Sequence, residues 1–118
     1  MVLYVGGDLS RKRLDWLALW PDGTVWNGGA VPPDRDGLAA FAGRLLASEA
    51  EVVCVIESMT GARFVHDELE RRGLEVRIAD ARKAKLAGEL LGQAGRKTDL
   101  LDAHLLAELG RRDLVPEI

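Results

Sequence analysis

Four carboxylates stand out by position: Asp8 follows the apolar run Val2, Leu3, Tyr4, Val5 and two glycines, Glu57 ends the run Val52-Val53-Cys54-Val55-Ile56, and Asp99 and Asp102 lie three apart towards the C-terminus. An acid at the C-terminal end of a buried strand lies at the edge where α/β sheets bind ligands. Residues three apart on a helix project from one face and can reach that same edge. Carboxylates gathered there repel one another, and a divalent cation relieves the repulsion. Oxygen donors without accompanying His or Cys favour Mg²⁺ or Mn²⁺ over zinc, and a pair of such ions is a recurrent device for in-line displacement at phosphate. The expected metal ligands and catalytic residues are therefore Asp8, Glu57, Asp99 and Asp102. Taken singly, each has a structural role open to it: a turn residue for Asp8, an exposed strand terminus for Glu57, and first-turn acids favoured by the helix dipole for Asp99 and Asp102. Their shared placement makes the site.

Positive charge flanks these acids. Arg11, Lys12 and Arg13 follow the first strand, and Arg82, Lys83, Lys85, Arg96 and Lys97 bracket a later helix. Lys97, Arg96 and Lys12 are the secondary candidates for contact with nucleic-acid phosphate, against the commoner role of a solvated surface cation. His104 is two positions from Asp102 and so off its face, and His66 has no Cys or His neighbour at ligand spacing, so both read as structural or surface residues. Trp16, Trp20 and Trp26 could stack bases but read as core on hairpin strands. The glycine pairs match neither a Walker nor a dinucleotide fingerprint.

A chain of 118 residues is one domain, here residues 1–118, able to hold a single core. The formal net charge of −3 argues mildly against a free-standing nucleic-acid binder, which normally shows a basic face. Cys54 is alone and lies within an apolar strand, which fits a reducing compartment. No apolar run approaches the ~20 residues that span a bilayer, so the expectation is a cytoplasmic protein without membrane contact.

The elements that must position the acids can be read in order. Residues 2–8, 13–20 and 24–30 form three consecutive antiparallel strands, with Pro21-Asp22-Gly23 turning the second into the third. In the second, Leu14, Trp16, Ala18 and Trp20 share one face and Leu17 and Leu19 the other, so helices must cover both sides. Leu38, Phe41, Leu45 and Leu46 recur at helical spacing after Pro32-Pro33-Asp34, the helix reaching about Ser48. Residues 51–57 form a central strand, Ser58 or Thr60 is the expected cap of a helix ended by Gly73, and Leu74, Val76 and Ile78 alternate in a further strand. Asp80 is the expected cap of a helix to about Leu91. Thr98 is the expected cap of a last helix from Asp99 to about Arg111, with Leu101, Leu105 and Leu109 as its buried stripe. Gly7 is expected to loosen the first strand's end, and the C-terminus is expected to be the least ordered part. This is the order of the ribonuclease-H-like fold, an α/β class with a mixed five-stranded sheet (three antiparallel strands, then two parallel) flanked by helices, and right-handed crossovers would place the fourth strand beside the first.

Three strings, Gly6-Gly7-Asp8-Leu9-Ser10, Ile56-Glu57-Ser58-Met59-Thr60-Gly61 and Lys97-Thr98-Asp99-Leu100-Leu101-Asp102-Ala103, resemble the DEDD transposases of bacterial insertion sequences, of the insertion-sequence-one-hundred-and-ten type. The resemblance covers nearly the whole chain. It implies an N-terminal domain similar to the resolvase RuvC, with Asp8, Glu57, Asp99 and Asp102 binding Mg²⁺ for DNA cleavage and strand transfer. It further implies DNA as partner, an element-encoded guide RNA, a homo-oligomer in the full-length protein, and a C-terminal domain with a nucleophilic serine. Ser10, Ser48 and Ser58 stand in no such context, so the expectation is a catalytic domain incomplete for recombination by itself. Two other classes stay open: a non-catalytic nucleic-acid-binding or dimerisation module, and phosphotransfer to small molecules as in sugar-kinase relatives of the fold. The latter needs Gly-rich phosphate loops, where this chain has Leu9-Ser10-Arg11-Lys12.

Overall fold

Strand alternation decides which way each residue of the sheet faces, and the three apolar strands β1 (Val2–Leu9), β2 (Leu14–Leu19) and β4 (Glu51–Glu57) form its centre. A computed structural model of the chain describes residues 1–92 and 102–118 in full and residues 99–101 as helical backbone. The remaining elements are β3 (Val25–Val31), α1 (Arg35–Leu46), α2 (Ala62–Arg71), β5 (Glu75–Ala79), α3 (Ala81–Leu90) and α4 (Asp99–Arg111). The sheet runs β3-β2-β1-β4-β5, antiparallel across β3, β2 and β1, parallel from β1 through β4 to β5. The fourth strand thus lies beside the first, as the ribonuclease-H-like reading requires.

One face carries Leu3, Val5, Leu9, Leu14, Trp16, Ala18, Cys54 and Ile56, packed with Leu38, Phe41 and Leu45 of α1 and Val65 and Leu69 of α2. On the other face Leu17 and Leu19 meet Ala103 and Ala107, while Val55 meets Leu105, Leu106 and Leu109, all from α4. Trp16 is 1% exposed, 5.3 Å from the Phe41 ring, with the Arg44 guanidinium over it, so it is core and cannot stack a base. Trp20 and Trp26 are half-buried edge-to-face neighbours packed against the same core.

The helix ends follow local chemistry. Asp34 caps α1 by accepting from the Gly37 N–H at 2.8 Å, and Asp80 caps α3 by accepting from Lys83 N–H at 3.0 Å. The cap of α2 corrects the expectation of Ser58 or Thr60: Gly61 occupies it at φ 92° with no side-chain cap bond, a left-handed conformation that costs glycine least. Gly7 does not loosen β1, which runs on to Leu9; a Cβ there would meet Leu14 Cδ1 at 2.9 Å and Ile56 Cγ2 at 3.1 Å, so the glycine makes room for core packing. Nor is the C-terminus loose. Glu117 bridges Ala79, and Asp80 and Ile118 N–H groups donate to Pro116 and Ile78 carbonyls, extending the β5 edge. Thr98 and the Leu101 side chain lie outside the described residues.

Candidate active site

The β1–β4 register pairs Val2 with Glu51 and continues without a break to Gly7 and Ile56, so the next positions, Asp8 and Glu57, are side by side on adjacent parallel strands, about 4.8 Å apart in backbone spacing. Asp8 lies on the same face as Tyr4 and Gly6, and Glu57 on the face of Val55: both on the α4 side. The two strand-end positions are neighbours, as the expected strand order requires.

The position of α4 follows from contacts along β1. A Cβ on Gly110 would meet Val55 Cγ2 at 3.0 Å and Tyr4 Cδ1 at 3.8 Å, whereas a Cβ on Gly6 would collide with the Ala103 carbonyl and come within 2.5 Å of the Ala107 nitrogen. The helix therefore runs antiparallel to β1. From Tyr4 to Asp8 the strand advances ~13 Å, and the same distance back along α4 from Gly110 covers about nine residues, so Asp8 is level with the helix's first turn. Asp102 is in that turn and half-buried; Asp99 opens the helix, with its side chain outside the described residues. Asp8, Glu57 and Asp102 each take part in a polar or electrostatic contact.

A further acid, not among the expected ligands, joins this edge. Asp15 pairs directly with Asp8 across the β1–β2 ladder, so Asp15, Asp8 and Glu57 stand abreast on three neighbouring strands and one face. Like charges directly opposite are unfavourable. Arg13 relieves the strain locally, its Nε donating to Asp15 Oδ2 at 2.9 Å. The signal was present in the sequence, since Asp15 shares the alternation of Leu17 and Leu19; only the hairpin register brings it opposite Asp8.

Carboxylate oxygens alone make a donor set suited to a hard divalent cation. Among the described residues, however, no three His, Cys, Asp or Glu side chains are grouped closely enough to hold a metal ion. Of the proposed phosphate contacts, Lys12 is exposed at the β1–β2 turn, while Arg96 and Lys97 lie outside the described residues. His66 contacts Asp67 at 2.9 Å and His104 approaches Glu108 at 3.8 Å, consistent with surface roles. None of the described helices is long and apolar enough to cross a membrane.

Solved structures share the fold. The RuvC structure from Thermus thermophilus superposes with a TM-score of 0.55 at 14% identity, over 98% of this chain and 99% of that one. A ROK family protein from Streptococcus pneumoniae, solved with sucrose, superposes with a TM-score of 0.52 at 14% identity, over 80% of this chain and 39% of that one. Both show the fold, which hosts unrelated activities. A search of curated proteins finds no match. The sequence model of the DEDD transposase family of IS110 type, described as a transposase, matches residues 5–117. With that match over nearly its whole length on a RuvC-like, ribonuclease-H-like fold, the chain belongs to the IS110-type DEDD transposases and is a DNA-acting transposase domain.

Proposed function

We propose that residues 1–118 form the metal-binding catalytic domain of the transposase, in which Asp8, Glu57, Asp99 and Asp102 hold Mg²⁺ or Mn²⁺ for DNA cleavage and strand transfer. The observation that carries this reading is the in-register pairing that sets Asp8 beside Glu57, level with the first turn of α4 that bears Asp102. Bound there, a divalent ion would polarise the phosphate and stabilise charge developing on the displaced oxygen. The chain's own part is to fix the carboxylates: two on a rigid central ladder, two on a helix seated by Gly6. Lys12, Arg96 and Lys97 would contact backbone phosphates. The same reading includes a guide RNA, a homo-oligomer and a serine-bearing region needed for complete recombination, acting on DNA in the cytoplasm.

Calorimetric titration with Mn²⁺ tests the site. The unaltered chain should bind, and Asp8→Ala with Glu57→Ala should abolish the heat; equal binding by the double variant would sink the assignment. A second reading is a non-catalytic nucleic-acid-binding or dimerisation module of the same element, for which the formal net charge of −3 speaks, since a catalytic domain that grips DNA unaided normally shows a basic face. Branched-DNA nuclease assays separate the two, because metal-dependent cutting that disappears in Asp102→Ala excludes the module.

A further inference from the structure

The loop joining β1 to β2 places a cation at the end of the acidic row. Ser10 closes this turn: its N–H and hydroxyl both donate to the Arg13 carbonyl, at 2.9 and 3.0 Å, and the hydroxyl accepts from the Arg13 N–H at 3.3 Å. The Arg13 backbone is thereby fixed. Two residues on, Asp15 shares its face and holds the guanidinium through Nε at 2.9 Å. The Asp15 side chain is 16% exposed and that of Arg13 is 55% exposed, so the carboxylate is the anchor, and Arg13 makes a further contact besides this one. Ser10, Arg11, Lys12 and Arg13 are all exposed on this turn, so its cations face solvent at the rim of the acidic edge.

A row of carboxylates repels a phosphodiester, so a strand brought to this edge needs a positive group at its rim as well as any bound cation. Arginine suits that role: its planar fork matches phosphate oxygens, and an anchored side chain loses less freedom on binding than a loose lysine. We propose that Arg13, held by Asp15, seats a phosphodiester of the DNA strand at the acidic edge, and that Asp15 is a positioning residue rather than a fifth metal ligand. This rests on the reading that the edge acts on DNA.

Fluorescence anisotropy of a labelled branched DNA, titrated with the 118-residue chain in Ca²⁺ over a salt series, tests it. Arg13→Gln should weaken binding about tenfold and reduce the slope of log affinity against log salt by about 0.9, the signature of one lost phosphate contact. Arg13→Lys, which keeps the charge, should restore the slope but not the full affinity. Asp15→Asn should weaken binding about threefold with the slope retained, and should have no further effect when added to Arg13→Gln. Wild-type affinity and slope in Arg13→Gln would overturn the proposal alone, as would an Asp15→Asn effect undiminished in the double variant. Loss of calorimetric Mn²⁺ binding in Asp15→Asn would make Asp15 a ligand and overturn the positioning role. Tighter binding of an RNA hairpin than of DNA, with the same Arg13→Gln loss, would overturn the choice of DNA. If the unaltered chain binds no DNA, the parent reading fails and this one with it.

Discussion

Replacing Gly6 with alanine adds one methyl group beneath the helix that carries two of the four acids. That carbon would collide with the Ala103 carbonyl oxygen and lie 2.5 Å from the Ala107 nitrogen, both main-chain atoms that no rotamer change can move aside. Restoring ordinary contact with the carbonyl oxygen requires α4 to lift by more than about 1 Å, and overpacking of this kind costs ~1–3 kcal/mol, here at the upper end because the obstacles are backbone. At about 4 °C per kcal/mol for a domain of this size, the midpoint should fall by ~8–12 °C. The lift also carries Asp102 away from Asp8, and a misplacement of ~1 Å can cost ~100-fold in a metal-dependent cutting assay. Gly43 is the control: it is an exposed position within α1 with nothing within 4 Å of the added carbon. Gly43→Ala should therefore stabilise the chain by ~0.5–1 kcal/mol through helix propensity and a less free unfolded chain. Urea unfolding followed by circular dichroism measures both. Stability of Gly6→Ala within ~0.5 kcal/mol of the parent would refute the close seating of α4 on β1.

Two further outcomes follow from buried titratable groups. Burial pulls the Glu108 carboxyl upward, but hydrogen bonds from Arg111 at 2.7 Å and Arg112 at 2.8 Å outweigh it and hold it below its ordinary value of 4.5. Its contribution is thus present above pH 4.5 and lost as pH falls through the depressed value. Glu108→Gln should cost ~1–3 kcal/mol at pH 7 and lose less stability than the parent on acidification, and parallel unfolding curves at both pH values would contradict this. Burial pushes the Cys54 thiol from 9.0 up to about 12, so the folded protein should resist thiol reagents at pH 8. Stability should decline above about pH 9, where the unfolded thiol ionises and the native one does not. Rapid modification of the folded chain would show that Cys54 is accessible.

Local order was largely legible in the sequence because local chemistry sets it. Alternation in β2 separated Leu14, Trp16 and Ala18 from Leu17 and Leu19, Pro21-Asp22-Gly23 made the turn, and Asp80 capped α3 as its side chain dictates. Positive-φ Gly61 was not legible as a cap, since a glycine without a side-chain acceptor leaves no capping signature. Strand ends and helix spacing marked Asp8, Glu57, Asp99 and Asp102 as candidates, and the strand order agreed with the topology inferred from element order.

By itself, then, the sequence determined which residues face which side of their own element, because dihedral preference and the periods of strand and helix act over a few residues. The tertiary structure alone decided that Asp15 stands opposite Asp8, that Gly6 rather than a larger residue must lie beneath α4, and that Gly7 makes room for Leu14 and Ile56. Those facts depend on register and on the distance between packed layers. Both are set by contacts between residues far apart in the chain, which no local period records.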